Sequence, residues 1–242
     1  MQLLFAFIIL SIIMSVAILL MMLSKNSRSH KVRQLCQDKQ WQYQEFVNFN
    51  EPIKNANFGL LNYSQNAIFR HVISADANDF GLGFNFFDCR AIEPSCIHNC
   101  SVLLFNLNLD PKFSKLHTNL SPKGDLPESD QGTVLDKHYF LRIKQQQKLM
   151  LVKPHYAFEQ HDIYSNNPVL LEEFLQQHLT NDNKGAQKTK LSSWLLAHPH
   201  LHIEISNGML LAYQPNQLLS DEAIIPAIEH IAEISQSLSR SL

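Results

Sequence analysis

The chain has 242 residues, of which 45% are hydrophobic and 17% are charged, and its formal net charge is −2. A balance so close to neutral provides no basic field along which nucleic acid could wrap, so nucleic acid is excluded as the main partner. The length allows one large or two small domains behind any membrane segment.

The N-terminal segment is the most informative part of the chain. Residues 3–23 read LLFAFIILSIIMSVAILLMML, with no charge, no proline and no glycine. A helix needs about 20 mainly apolar residues to cross a bilayer. A cleaved signal peptide would need a basic start, a shorter apolar core and a small-residue cleavage site, none of which is present. Residues 1–24 are therefore predicted to form an uncleaved transmembrane anchor.

A basic segment follows the apolar run, and its periodicity predicts a juxtamembrane helix over 25–40. Lys25, Arg28, Lys31 and Arg33 lie within it. Basic residues next to a spanning helix stay on the cytoplasmic side, so we expect the N-terminus outside and the 41–242 domain in the cytoplasm, at the inner membrane of a bacterium. The four cations are expected to contact anionic lipid headgroups of the bilayer, each worth about 1 kcal/mol.

The middle of the chain alternates bulky and small or polar residues with a period of two. In 80–87, Phe80, Leu82, Phe84 and Phe86 share one face. This spacing is typical of antiparallel strands with one buried face, so the sequence predicts an α+β fold with an antiparallel sheet and packed helices. Further strands are predicted at 41–46, 67–75, 103–109, 139–143, 149–152 and 155–163.

Two segments are predicted to be loops. Residues 48–66 are rich in asparagine and are expected to hold one short helical turn at most. Residues 110–137 contain three prolines and two glycines among charges, which indicates a long surface loop. Such a loop could divide the cytoplasmic domain into two subdomains.

The C-terminal part has the clearest local signals. Asn167-Pro168 opens a predicted helix, residues 191–197 form a short one, and Ser220 is expected to cap a last helix. Asn207-Gly208 is the preferred type I′ hairpin turn between strands 201–206 and 209–214. Counting outward from this turn pairs Ile203 with Ala212 and Ile205 with Leu210 on the core face. His200, His202 and Glu204 fall on the other face, which we expect to be solvated, with metal binding by the two histidines as the alternative.

The order WLLAHP, LHIEISNGMLLAYQP and an amphipathic helix, preceded by DIYSNNPVLLEEFL, resembles a group of uncharacterised bacterial membrane-anchored proteins. These proteins have a domain of unknown function behind one N-terminal transmembrane helix. The resemblance covers about the last 80 residues well and the earlier sheet loosely. It implies the architecture and transfers no catalytic residue, because the group has no assigned activity.

One cluster has side chains suited to a metal. Cys89, Cys96, His98 and Cys100 are soft ligands of the kind that zinc binds tetrahedrally. Their spacing, C-x₆-C-x-H-x-C, lacks the paired C-x₂-C of strong zinc signatures. The alternative is a hairpin loop between the 80–87 and 101–109 strands, in which the cysteines are small apolar residues.

The sequence contains no nucleophile elbow, no H-E-x-x-H and no phosphate-binding loop. The resulting hypothesis is a membrane-tethered, non-catalytic cytoplasmic domain that serves as a protein-interaction or assembly module, with an unknown protein partner and no cofactor. A metal- or thiol-dependent sensor that uses the Cys89–Cys100 segment, with zinc as its cofactor, is the first alternative. An enzyme with an unrecognised site is the second.

Overall fold

The computed structural model describes residues 2–48, 51–62, 67–76, 80–92, 97–123, 145, 147–152, 158, 160–179 and 190–239. The helices are α1 (Gln2–Lys39), α2 (Glu51–Asn55), α3 (Gly59–Asn62), α4 (Pro168–Leu179), α5 (Lys190–Ala197) and α6 (Asp221–Leu238). The strands are β1 (Gln42–Phe46), β2 (Ile68–Ala75), β3 (Phe84–Ile92), β4 (Ile97–Asn106), β5 (His117–Pro122), β6 (Met150–Leu151), β7 (His161–Ser165), β8 (His202–Ser206) and β9 (Met209–Tyr213).

The predicted α+β class with an antiparallel sheet is confirmed. Within the described residues, nine strands form one sheet in the order β1-β2-β3-β4-β9-β8-β5-β7-β6, and all neighbours are antiparallel. The loop prediction for 110–137 is wrong in its first part, because β5 lies there, between β8 and β7. Its sequence, HTNLSP, has Thr118 as its one strand-favouring residue, and its pairing with two neighbours supplies the hydrogen bonds that define it as a strand.

Both faces of the sheet are covered, which differs from the half-buried sheet that the alternation predicts. One face packs against α4, α5, α6 and the C-terminal part of α1, around a core that includes Phe84, Phe86 and Phe105. The other face packs against residues from α2 and α3, among them Phe58, which is fully buried. The sheet is therefore the middle layer of three.

Several predicted elements shift in position. The strand predicted at 80–87 begins only at Phe84, and the strand predicted at 103–109 ends at Asn106. Gly81 has a φ of 68° and lies in a bend before β3, not inside a strand. The 48–66 segment contains two short helices instead of one turn. The strand predicted at 139–143 lies outside the described residues.

Helix α1 includes both the predicted anchor and the predicted juxtamembrane helix. The side chains of residues 2–6, 8, 17, 20–21 and 23–27 lie outside the description. Over the residues that are described, no helix is long and apolar enough to cross a membrane. Near its C-terminal end, α1 buries Val32 and Cys36 against the sheet, and burial raises the pKa of Cys36 to about 11.

The C-terminal elements agree best with the sequence. The predicted pairs Ile203–Ala212 and Ile205–Leu210 are confirmed. Asn207 and Gly208 have φ values of 49° and 70°, as a type I′ turn requires. The helix predicted at Asn167-Pro168 begins at Pro168, and Leu170 N donates to Asn167 Oδ1 at 3.1 Å. Ser220 occupies the N-cap position of α6 but makes no capping hydrogen bond with its side chain.

The turn leads to a test of the hairpin. Replacing Gly208 with proline should destabilise the domain by about 3 kcal/mol or more, because proline cannot adopt a positive φ. Asn207→Gly keeps the backbone geometry and loses only the hydrogen bond from Asn207 Nδ2 to Asn55 O, so its cost should stay near about 1 kcal/mol. Urea unfolding of the full chain in detergent, followed by circular dichroism, measures both. Equal midpoints for Gly208→Pro and the wild type would contradict the turn.

Candidate functional site

The guanidinium of Arg28 joins three elements of the fold. Its Nε and Nη2 donate to the two carboxylate oxygens of Asp88 in β3, at 2.7 and 2.9 Å. Its Nη1 donates to Leu219 O at 2.7 Å and to Asp221 Oδ1 at 3.1 Å, at the start of α6. Burial alone would lower the pKa of Arg28, but Asp88 and Asp221 raise it, so the charge is held in place. We call this arrangement the Arg28 fork.

Ser101 in β4 adds two hydrogen bonds to the Arg28 fork. Its hydroxyl donates to Asp88 Oδ1 at 2.8 Å and accepts from Leu219 N at 2.9 Å. Asp88 is therefore held by two separate donors, and its side chain is only 11% exposed. The predicted juxtamembrane helix is thus tied to the sheet and to α6 by charge-assisted hydrogen bonds, which are stronger than neutral ones.

The four predicted lipid-contacting cations differ in their surroundings. Arg28 has its carboxylate partners within the protein, as does Lys31, whose Nζ lies 3.1 Å from Asp221 Oδ2 while its side chain remains 56% exposed. The guanidinium of Arg33 lies over the ring of Tyr43, 5.3 Å from its centroid. The side chain of Lys25 lies outside the description.

A second polar group lies beside the fork, where Ser29, Tyr43, Glu45 and His71 meet. His71 has a φ of 53° at an irregularity in β2, a conformation that non-glycine residues adopt mainly at strained or functional positions. Burial would raise the pKa of Glu45, but hydrogen bonds from Tyr43 and Arg70 lower it. Burial and the bond to Glu45 raise the pKa of Tyr43 to about 12.

This group does not have the geometry of a catalytic triad. His71 Nδ1 lies 3.4 Å from Ser29 Oγ and 3.9 Å from Glu45 Oε1, so the same ring nitrogen faces both the hydroxyl and the carboxylate. A triad needs the carboxylate on one nitrogen and the nucleophile on the other. The group instead holds α1 against β1 and β2.

The predicted metal cluster is placed only in part. Cys89 and Cys100 are directly opposite in the β3–β4 ladder, and both are buried, free thiols. They lie in the strands, so the prediction of a loop is wrong for these two positions. The hydrogen bond that the Cys100 thiol donates to Cys89, together with burial, raises the pKa of Cys100.

The structure describes the other two predicted ligands less completely. Cys96 lies outside the described residues, and His98 is described only by its backbone, opposite Ala91. Among the described residues, no three His, Cys, Asp or Glu side chains are grouped so that they could hold a metal ion.

The hairpin face predicted to be solvated is buried, which corrects that expectation. Glu204 is fully buried, and His202 is 2% exposed with its ring stacked on that of Tyr213. Glu204 accepts from Gly59 N at 3.0–3.1 Å and from Gln147 Nε2 at 2.6 Å, and it lies 2.7 Å from His117 Nε2. These donors replace the water that a buried carboxylate loses. His200, by contrast, is exposed.

A cavity of about 360 Å³ lies between α6 and the sheet. Leu103, Ala212 and Ile231 are buried side chains in its wall. The exposed His198 and His230, whose ring centroids are 6.3 Å apart, lie among its outer residues. Ser101 and Leu219 of the Arg28 fork also line it. No local sequence pattern marks this cavity, because β4 and α6, which both line it, lie more than 100 residues apart in the chain.

The fold and these sites define an α+β protein with an antiparallel sheet between two covering layers. No family model matches the chain, and no curated protein is similar to it. Among solved structures, the chain is similar to the crystal structure of the mycobacterial trehalose monomycolate transport factor A, TtfA, with 9% identity and a TM-score of 0.48. That similarity covers 88% of this chain and 97% of the other.

The Arg28 fork leads to a prediction about stability. Arg28→Lys keeps the charge but loses the planar fork, and should lower the free energy of unfolding by about 2 kcal/mol. Lys31→Ala in the same helix removes a half-exposed ion pair and should cost less than about 1 kcal/mol. Urea unfolding of the two full-length variants beside the wild type compares these costs. If Lys31→Ala lowers the free energy of unfolding as much as Arg28→Lys does, the Arg28 fork is not the main connection of α1 to the sheet and α6.

Proposed function

We propose that the chain is a membrane-tethered, non-catalytic module at the cytoplasmic face of a bacterial inner membrane, where it binds a protein partner. In this proposal, residues 1–24 form the anchor, the 25–40 segment emerges at the surface, and the 41–242 domain provides the interaction surfaces. The observation that carries the proposal is the exposure of apolar side chains in the first part of α1.

Ten described side chains between Phe7 and Met22 are large, apolar and 46–74% exposed. Consecutive residues of a helix point about 100° apart, so Ile12, Ile13 and Met14 alone face most directions around the axis. A helix that is apolar on all sides needs an apolar environment on all sides. A bilayer supplies that environment, and it fits the uncharged run from residue 3 to residue 23, in which Ser11 and Ser15 are the polar residues.

The attachment between the anchor and the domain supports a rigid tether. Arg28 follows the last apolar residue of the run, Leu23, by five positions, which is about 7.5 Å of helix. The Arg28 fork therefore lies within about one and a half helical turns of the proposed membrane boundary. The domain would be held close to the lipid surface in one orientation, as suits a module that presents a surface to other membrane proteins.

The topology can be tested directly. With the domain in the cytoplasm, a C-terminal alkaline phosphatase fusion should be inactive while a fluorescent-protein fusion at the same position is bright, because basic residues retain the flanking segment inside. The full chain should remain in the membrane pellet after an alkaline carbonate wash. A matched chain without residues 2–24 should be released.

The two readouts test different parts of the proposal. An active phosphatase would overturn the cytoplasmic location and leave the anchor standing. Release of the full chain by carbonate would overturn the anchor itself.

A second candidate function is a metal- or thiol-dependent sensor, and the opposed thiols of Cys89 and Cys100 favour it. Under the first proposal, the purified full chain should contain no stoichiometric zinc, and Cys96→Ser should melt at the temperature of the wild type. Bound zinc contributes folding energy outright, so loss of a ligand would lower the melting temperature. Metal content by mass spectrometry together with thermal melts decides the question. One zinc per chain that Cys96→Ser loses would replace the first proposal with the sensor.

A further inference from the structure

The cavity under α6 has the construction of a small-molecule site. Its volume of about 360 Å³ lies at the lower end of the roughly 300–1,000 Å³ of such sites. Leu103, Ala212 and Ile231 give it a buried apolar wall, and Ala223 and Ala227 on α6 leave it space because their side chains are small. An apolar wall with a few polar groups among the outer residues selects a ligand with an apolar body and one polar end.

The cavity also adjoins the Arg28 fork. Ser101 and Leu219 line the cavity, and the same two residues hydrogen-bond Asp88 and Arg28. Only four residues of α1 separate Arg28 from the end of the apolar run. Under the proposed anchoring, this end of the cavity therefore lies close to the bilayer, which is a reservoir of amphiphiles.

The outer residues fit an anionic end. His198 and His230 lie there with ring centroids 6.3 Å apart, and the exposed Gln217 also lines the cavity. Each imidazole carries at least one N–H donor in any protonation state, and two in the charged state. Hydrogen bonds to an anion are the stronger kind, so a carboxylate or phosphate is favoured over a neutral group at this position.

We propose that this cavity binds a single-chain anionic amphiphile, of the fatty-acid or lysophospholipid class, drawn from the membrane to which the chain is tethered. The acyl chain occupies the space between α6 and β4 and β9, and the anionic group lies at His198 and His230. The inference deepens the proposed function, because the membrane source of the ligand depends on the anchor.

The test uses the full chain in vesicles of phosphatidylethanolamine and phosphatidylglycerol that contain a fatty acid with a diazirine in mid-chain. After illumination, mass spectrometry of the digested protein maps the adducts. We expect adducts in two places, namely the anchor and the cavity segments 210–217 and 223–231. The anchor adducts report bilayer contact and serve as the internal reference for the cavity adducts.

Matched variants distinguish binding in the cavity from non-specific labelling of the protein surface. Ala227→Phe fills the cavity and should lower the ratio of cavity to anchor adducts by about tenfold. Ala223→Phe fills it from a second position, and circular dichroism identifies which of the two variants is folded. Glu229→Phe adds the same side chain at an exposed position of α6 outside the cavity lining and should leave the ratio unchanged.

The polar end is tested by a second comparison. Replacing His198 and His230 together with alanine should reduce the cavity adducts of the fatty acid several-fold while sparing those of the matching fatty alcohol. A diazirine lysophosphatidylglycerol tests a phosphate headgroup in place of a carboxylate. The headgroup whose probe gives the higher ratio of cavity to anchor adducts is the one that the cavity prefers. An equal loss for acid and alcohol would overturn the anionic assignment.

The outcomes keep the two proposals apart. Anchor adducts without cavity adducts would overturn the amphiphile site and leave the tether standing. Cavity adducts without anchor adducts would sustain the binding site and overturn the tether, together with the membrane as its source. Equal cavity labelling in the wild type and in a folded Ala227→Phe or Ala223→Phe variant would overturn the site.

Discussion

The packing of α1 against the sheet and α6 depends on the hydrogen bonds that the guanidinium of Arg28 donates. Arg28 reaches Asp88 in β3, the Leu219 carbonyl and Asp221 at the start of α6, so three elements far apart in the chain meet at a single side chain. A guanidinium presents its N–H groups in a rigid plane, and each acceptor therefore fixes the direction of its own element. Lysine would supply the charge without this geometry. The orientation of α1 relative to the sheet follows from this constraint.

The second organising feature is a sheet with no solvated face at its centre. β8 and β9 are buried throughout, between the layer of α4, α5 and α6 and the layer that contains α2 and α3. Such a position forces any polar side chain on these strands to find partners. Glu204 is the extreme case, and donors from Gly59, Gln147 and His117 surround it. Because those donors come from separate parts of the chain, the carboxylate also connects the second layer to the sheet.

The Arg28 fork and the cavity share residues, and this links the position of α1 to the shape of the cavity. Ser101 and Leu219 belong to both, so a shift of α1 would move part of the cavity wall. Packed interiors respond to such shifts as units and do not deform continuously. Because the Arg28 fork of α1 and the cavity share these residues, a movement of one would be transmitted to the other.

The sequence alone determined the features that rest on neighbouring residues. The Asn207-Gly208 hairpin with its register, the helix opened by Asn167-Pro168 and the apolar run of α1 were all predictable, because turn chemistry, capping and hydropathy act over a few positions. The α+β class followed from the period-two alternation of bulky residues in the predicted strands, together with the predicted helices. Even here the bounds of β3 moved by several residues, since alternation continues into the bend at Gly81.

Only the tertiary structure decided the rest. β5 became a strand within a predicted loop because β8 and β7 supply hydrogen bonds from both sides. Arg28, predicted to face lipid headgroups, has carboxylate partners in β3 and α6, and the predicted solvated face of Glu204 is covered by residues that precede it by about 145 positions. Partners so distant in sequence leave no local pattern, so the Arg28 fork, the buried carboxylate and the cavity are properties of the packing.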